Sequence, residues 1–195
     1  MMDITDVNEA APEYARKNLL TYADYVNLDD ENRYELIDGV IYLMSPGPSL
    51  AHQDTSGGLY VQLWTFLKDK PCKVYHAPCD VCLNAEGDND TTVVQPDMFV
   101  VCDLTKLDGK RCNGAPDFVI EILSPSSANR DNLLKFNKYM QAGVREYWIV
   151  DLEDKVVRIC LLKGGKYEIT DFIDPTELSV NVLDDCKIDM TGVFV

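Results

Sequence analysis

Asp117-Phe-Val-Ile-Glu-Ile-Leu123 is a strand-length apolar run broken once, near its middle, by an acid. Upstream, Val93-Val-Gln-Pro-Asp-Met-Phe-Val-Val-Cys102 has the same character, with its acid placed directly after Pro96. Nearly continuous apolar runs belong to strands covered on both faces, where side chains pointing either way meet protein. Lys73 to Leu83 reads as a third strand, and acidic, Gly-containing connectors at Asn84–Asp90 and Asp103–Gly114 separate the three. A sheet buried on both faces is therefore expected at the centre.

On the N-terminal side, residues 1–20 show no clear period and form an irregular or helical lead-in. Thr21 to Asn27 predicts a short helix, with Thr21 as N-cap and Asp24 closing a capping box. Tyr34-Glu-Leu-Ile37 and Val40-Ile-Tyr-Leu-Met44 flank Asp38-Gly39, the dipeptide favoured in a type I′ turn because both positions need positive φ. That is a β-hairpin. Ser45-Pro-Gly-Pro-Ser49 breaks the chain, and Ser49 caps a helix from Leu50 to about Leu67 whose apolar face is Leu59, Leu63, Phe66 and Leu67. The paired Gly57 and Gly58 mark either close packing or a delayed helix start. On the C-terminal side, Ser124-Pro-Ser-Ser127 is a loop. A helix from about Asn129 to Ala142 stops at Gly143, and Arg145 to Asp151 is a further strand. Val156–Leu162 and Tyr167–Thr170 form a second hairpin, and Leu178–Leu183 is a weak alternating stretch. The order gives a mixed α/β or α+β sheet of at least four core strands, flanked by helices and carrying additional hairpins. A single domain over residues 1–195 suffices.

Of the 195 residues, 46% are apolar and 26% charged, as in a globular protein. No run approaches the roughly 18 apolar residues of a membrane helix, and the start lacks the basic and apolar parts of a secretory signal, so a cytoplasmic location without membrane association is expected. The net charge of −15 argues against a protein that coats DNA, whose phosphates are met by Lys and Arg. It does not exclude an enzyme with a few basic residues in one cleft. The seven cysteines are expected to be reduced. Cys79 and Cys82, three apart on an expected strand, point to opposite faces and make a poor zinc site.

Asp97 and Glu121 carry the chemistry. A lone buried carboxylate is costly unless a cation or several donors sit beside it. Two carboxylates on neighbouring strands can jointly hold Mg²⁺ or Mn²⁺ through oxygen ligands, and such a site supports in-line phosphoryl displacement. Two alternatives stay open. Asp117 and Glu121, four apart on one strand, form a rival pair, although Asp117 also reads as a turn residue; and Glu121 can sit in a core ion pair with an arginine.

Tyr34-Glu-Leu-Ile-Asp-Gly39, Met44-Ser-Pro46, His52, Gln95-Pro-Asp97, Pro116 to Pro125, Asp131 with Lys135, and Gly143-Val-Arg-Glu-Tyr-Trp-Ile-Val-Asp151 occur in that order. Together they resemble the Uma family of restriction-endonuclease-like proteins, within the PD-(D/E)XK nuclease-like superfamily, over Thr21 to about Cys160. The resemblance implies a restriction-endonuclease-like mixed central sheet flanked by helices, with residues 21–160 as the core and the ends as decorations. It implies Mg²⁺ or Mn²⁺ at Asp97 and Glu121, with the backbone carbonyl of Ile122 as a further ligand. The superfamily lysine two positions after the second acid is Leu123 here, and the Uma pattern supplies Lys135 instead, to orient or deprotonate the attacking water or to stabilise charge on the phosphate. Glu35 and His52 also fall on family positions, as auxiliary acid or hydrogen-bond partner. Periodicity alone sends Lys135 away from the stripe Leu133, Phe136 and Met140, toward Tyr139 and solvent, and strand alternation turns Glu35 outward.

The function implied is metal-dependent hydrolysis of DNA phosphodiester bonds, by analogy as a homodimer. Its competitors are a non-catalytic or regulatory protein retaining the fold, favoured by the charge and by Leu123, and hydrolysis of RNA or a smaller phosphoester.

Overall fold

The expected order of elements frames the chain, and the structure, a computed structural model, describes residues 19–28, 32–44, 47–123 and 130–194. The lead-in before residue 19, Ser45 and Pro46, the 124–129 loop with Asn129, and the side chain of Asp131 lie outside the described residues. The short helix α1 covers Tyr22–Tyr25, closed by the Thr21/Asp24 capping box. The hairpin β1 (Tyr34–Ile37) and β2 (Val40–Leu43) turns at Asp38 and Gly39, with φ of 52° and 76°. Helix α2 (Leu50–Leu67) starts where Ser49 accepts a hydrogen bond from the His52 N–H, so its start is not delayed. Nor do its paired glycines mark close packing: a Cβ on either would meet nothing within 4 Å.

Two of the expected long strands divide. Lys73–Leu83 becomes β3 (Lys73–His76) and β4 (Val81–Cys82), and Val93–Cys102 becomes β5 (Val93–Val94) and β6 (Met98–Val101). Each break holds a proline, Pro78 or Pro96, which cannot donate to a ladder, and the two halves join different sheets. After β7 (Cys112–Asn113) come β8 (Phe118–Leu123), helix α3 (Arg130–Ala142) and β9 (Glu146–Asp151). The second hairpin is longer than expected, as β10 (Val156–Lys163) and β11 (Lys166–Ile173). The tail forms β12 (Glu177–Ser179) and β13 (Lys187–Asp189), paired with each other.

The central sheet is mixed, in the order β11-β10-β9-β8-β6-β3, with β8 and β9 parallel and the other neighbours antiparallel. A five-stranded sheet runs β2-β1-β5-β4-β7. On one face of the central sheet, Leu59, Leu63 and Leu67 of α2 pack with Phe118, Ile120, Trp148 and the tail residues Ile188 and Met190. On the other, Val119, Tyr147 and Phe99 meet Tyr139 of α3 and Ile37, Val81 and Val94 of the smaller sheet. Burying each such leucine contributes about 1.5–3 kcal/mol. The expectation of a sheet covered on both faces therefore holds. Among the described residues, no helix is long and apolar enough to cross a membrane.

The cysteines depart from the reduced set expected. Cys72 and Cys102, at the open end of the β3–β6 ladder, form a disulfide, while Cys79, Cys82, Cys112, Cys160 and Cys186 are free.

Candidate functional site

The β6–β8 ladder pairs Met98 with Ile120, so one further step along the same register places Asp97 opposite Glu121. There the ladder ends, because Pro96 has no N–H and the chain leaves for the smaller sheet. The side chain of Asp97 takes the place of the missing backbone acceptor: its Oδ2 accepts the Ile122 N–H at 2.8 Å. In a β-strand the N–H and C=O of one residue point to the same side, so the Ile122 carbonyl leaves β8 on the side of β6. The same Oδ2 accepts from His52 Nε2 at 3.2 Å, which brings in the first turn of α2.

Glu121 projects from β8 toward α3. Its Oε1 accepts from Lys135 Nζ at 2.6 Å and from Tyr139 Oη at 2.7 Å. Lys135 also donates to Glu35 Oε1 of β1 at 2.9 Å, and the same oxygen accepts the Gln95 N–H at 2.9 Å. The structure thus gathers Asp97, Glu121, Lys135, Glu35 and His52 into one cluster drawn from five separate parts of the chain. Ile122 lies within it through its backbone.

Two orientations differ from local sequence logic. Lys135 is 8% exposed while Leu133 is 63% exposed, so the inward face of α3 takes in Lys135 and Tyr139 beside Phe136 of the expected stripe and leaves Leu133 out. Glu35, Leu36 and Ile37 are all buried, because β1 is covered on both faces: Leu36 by α1-side residues including Tyr22 and Tyr25, and Ile37 by the central sheet. The rival acid pair does not form. Asp117 accepts the Cys102 N–H at 2.6 Å and pairs with Arg145 at 2.7 Å. The cation beside Glu121 is a lysine, not an arginine.

Burial pushes the Glu121 carboxyl up to about 7; Lys135 pulls against this, and the Asp97 and Glu35 carboxylates add to it. Burial opposes the Lys135 ammonium, but Glu121 and Glu35 outweigh it and hold the group well above the ordinary lysine range. Lys135 is placed as a cation and a hydrogen-bond donor between the two acids. The hydrogen bond to Asp97 raises His52 above its ordinary value, against the effect of burial. His52 Nδ1 is buried with no partner among the described residues.

Two participants escaped the sequence reading as functional groups. Tyr139 fixes Glu121, and its i+4 spacing from Lys135 is the signal that points to it. Gln95 ties Glu35 through its backbone, and its side chain donates to Tyr25 Oη at 3.0 Å and Asp80 Oδ1 at 2.8 Å. Its place in the Gln95-Pro-Asp97 motif was visible, but not what it holds.

The donor set suits a hard cation. Among the described residues, no donor reaches Asp97 Oδ1 or Glu121 Oε2, and no group of three His, Cys, Asp or Glu side chains is disposed to hold a metal ion. A pair of carboxylate oxygens with water and phosphate completing the shell is the manner in which Mg²⁺ is commonly held, whereas a zinc site needs more nitrogen or sulfur ligands.

Comparison with known proteins agrees with this architecture. The chain matches a protein from Anabaena variabilis, described as a putative nuclease belonging to DUF820, with a TM-score of 0.69 and 19% sequence identity, over 90% of this chain and 97% of that one. At that identity the likeness concerns the fold. No curated protein matches the chain. The family model Uma2, described as "Putative restriction endonuclease", matches residues 21–191, beyond the stretch the motifs alone delimit and including the tail strands. A mixed sheet whose paired acids meet a helix-borne lysine, a shared nuclease-like fold and a match over most of its length make this chain a member of the Uma2 family.

Proposed function

We propose that the protein is an endonuclease that hydrolyses phosphodiester bonds in DNA with Mg²⁺ or Mn²⁺ held by Asp97, Glu121 and the Ile122 carbonyl. The observation that carries this reading is the opposition of Asp97 and Glu121 at the end of the β6–β8 ladder, with Lys135 bonded to Glu121. When bound, the cation supplies charge neutralisation and lowers the pKa of water. His52 and the Ile122 N–H occupy one Asp97 oxygen, and among the described residues no donor takes the other, which would face the ligand. Lys135 orients or deprotonates the attacking water, or donates to the developing charge on the phosphate. Two copies acting together would address the two strands of a duplex.

Leu123 at the usual lysine position and the charge of −15 favour a second reading, in which the fold is retained without catalysis. Calorimetric titration of Mg²⁺ and Mn²⁺ into wild type and Asp97→Asn, with cleavage of plasmid DNA by both and by Glu121→Gln, separates the two. Binding and cleavage lost in the variants support the enzyme. Cleavage that survives both substitutions refutes the assignment, and absence of cation binding by wild type favours the non-catalytic reading.

A further inference from the structure

Helix α2 is apolar on two opposite faces. Leu59, Leu63 and Leu67 point into the core, yet Leu50, Val61 and Trp64 are 84%, 61% and 51% exposed. At about 100° per residue these three fall on one stripe, within about 60° of Val61, together with Asp54, Gly57, Gly58, Thr65 and Lys68. All are exposed save the half-buried Gly58. A helix that is apolar on every side is ordinarily covered on every side.

The symmetry of the stripe says what covers it. Val61 is its midpoint. Asp54 stands seven residues before it and Lys68 seven after, about 10 Å away in either direction. Gly57 and Gly58 stand four and three before; Thr65 and Trp64 stand four and three after. Two such helices laid antiparallel about a two-fold axis at Val61 set the two valines face to face. Each Trp64 then lies over Gly57 of the second copy, each Thr65 over Gly58, and Asp54 lies beside Lys68 twice. A two-fold contact requires this self-complementarity, because the same surface is used from both sides. A parallel arrangement would instead bring acid to acid and indole to indole. The paired glycines also acquire a use. A Cβ on either would meet nothing within 4 Å inside one chain, and each weakens the helix relative to alanine, but on the outer face they leave room for an indole. Leu19, to which the N-terminal lead-in joins, lies against Gly39 of the smaller sheet, across the central sheet from this stripe. At physiological salt the repulsion between two chains of −15 is screened beyond about 8 Å, whereas the Asp54–Lys68 pairs act at contact.

We infer that the outer stripe of α2 is the surface through which two copies of this chain associate, as a two-fold antiparallel helix pair centred on Val61. It supplies a contact for the pairing invoked for a duplex substrate, and it does not depend on the nuclease reading. One helix seam lies at the small end of specific interfaces, so a dissociation constant on the order of micromolar is expected.

The test is sedimentation velocity across a concentration series from about 1 to about 200 µM, bracketing that constant. It compares wild type, Trp64→Gln, Gly57→Gln, Asp54→Lys, and Asp54→Lys combined with Lys68→Asp. Wild type should move toward the dimer mass along the series. Trp64→Gln and Asp54→Lys should each weaken association at least about tenfold. The double charge reversal should recover most of the loss, since each pair is again opposite in sign. Gly57→Gln should lose association while its monomer melts no lower than the wild-type monomer, because glutamine is the better helix former. Wild type that stays monomeric throughout overturns the inference, and so does a dimer left unchanged by Trp64→Gln and Asp54→Lys. A double reversal no better than Asp54→Lys alone overturns the antiparallel register. Cation binding and cleavage by wild type and Asp97→Asn decide the nuclease reading separately, since none of the substituted residues belongs to the acid cluster.

Discussion

Replacing Lys135 with methionine keeps the side chain as far as its ε position and removes the charged Nζ. In the wild type Nζ lies 2.6 Å from Glu121 and 2.9 Å from Glu35, in a cluster whose side chains are about nine-tenths buried. Removing one partner of a buried ion pair costs about 3–5 kcal/mol, and here two carboxylates lose the same cation. Protonation limits the loss. Because the folded-state value for Glu121 is already raised to about 7, its stabilising share is fully present below the ordinary carboxyl range and is lost as pH rises through 7. Without Lys135 the folded value rises further, so the variant keeps losing about 1.4 kcal/mol per pH unit after the wild type has levelled off. The difference between the two proteins should be about 3–5 kcal/mol at pH 8 and about 1–2 kcal/mol at pH 5.5. At pH 8 that corresponds to about 6–20 °C in Tm for a chain of this size. Urea unfolding in EDTA, followed by the fluorescence of the buried Trp148, reads it directly. Adding Glu121→Gln to the variant should recover part of the loss, since the amide oxygen still accepts from Tyr139. A difference below about 1 kcal/mol at pH 8, or one equal at both pH values, refutes the account of Lys135 as counter-ion to the pair.

Three further outcomes concern the frame around the site. Gly39→Ala should cost about 1–3 kcal/mol, because φ is +76° and the new Cβ would lie 2.5 Å from Leu19 Cβ; a midpoint unchanged in urea contradicts this. Glu146 is buried at the start of β9, accepting from Trp148 Nε1 at 2.7 Å, Asn181 Nδ2 at 3.1 Å and the Val182 N–H at 2.9 Å. Burial raises its carboxyl above the ordinary value. Its contribution is therefore full below about pH 4.5 and shrinks as pH rises, so Glu146→Gln should gain on wild type from pH 4.5 upward, and parallel stability curves count against it. The disulfide Cys72–Cys102 closes a loop with a separation of 30 residues, worth about 3–4 kcal/mol by loop closure. The double Cys→Ser variant should unfold that much more easily, and a midpoint insensitive both to the substitution and to dithiothreitol refutes it.

What could be read from the sequence was local. The Asp38-Gly39 turn, the Thr21 and Ser49 caps and the stop at Gly143 depend on residues within a few positions, and all stand where expected. The apolar runs around Asp97 and Glu121 announced a sheet covered on both faces. The divided strands did not announce themselves, because a run of apolar residues carries no mark of which sheet each half will join. The inward turn of Lys135 was hidden for a related reason. A polar residue can face the interior only if distant acids meet it, and Glu35 lies a hundred residues away. The resemblance to known proteins supplied candidates that periodicity placed outside. Tyr139 stands one helical turn from Lys135, but its hold on Glu121 follows from what the fold sets beside it.

The three residues from Gln95 to Asp97 are all that joins β5 in the smaller sheet to β6 in the central one. One end is pinned to Glu35 and the other to the Ile122 N–H, so this connection bridges two layers that share no ladder and ends on one acid of the pair. Any sliding of the layers past one another would strain this short connection together with the core the two sheets share, and with them the seat of Asp97. The smaller sheet thus serves as a footing for one wall of the cluster, through the bonds that Glu35 makes to Gln95 and Lys135.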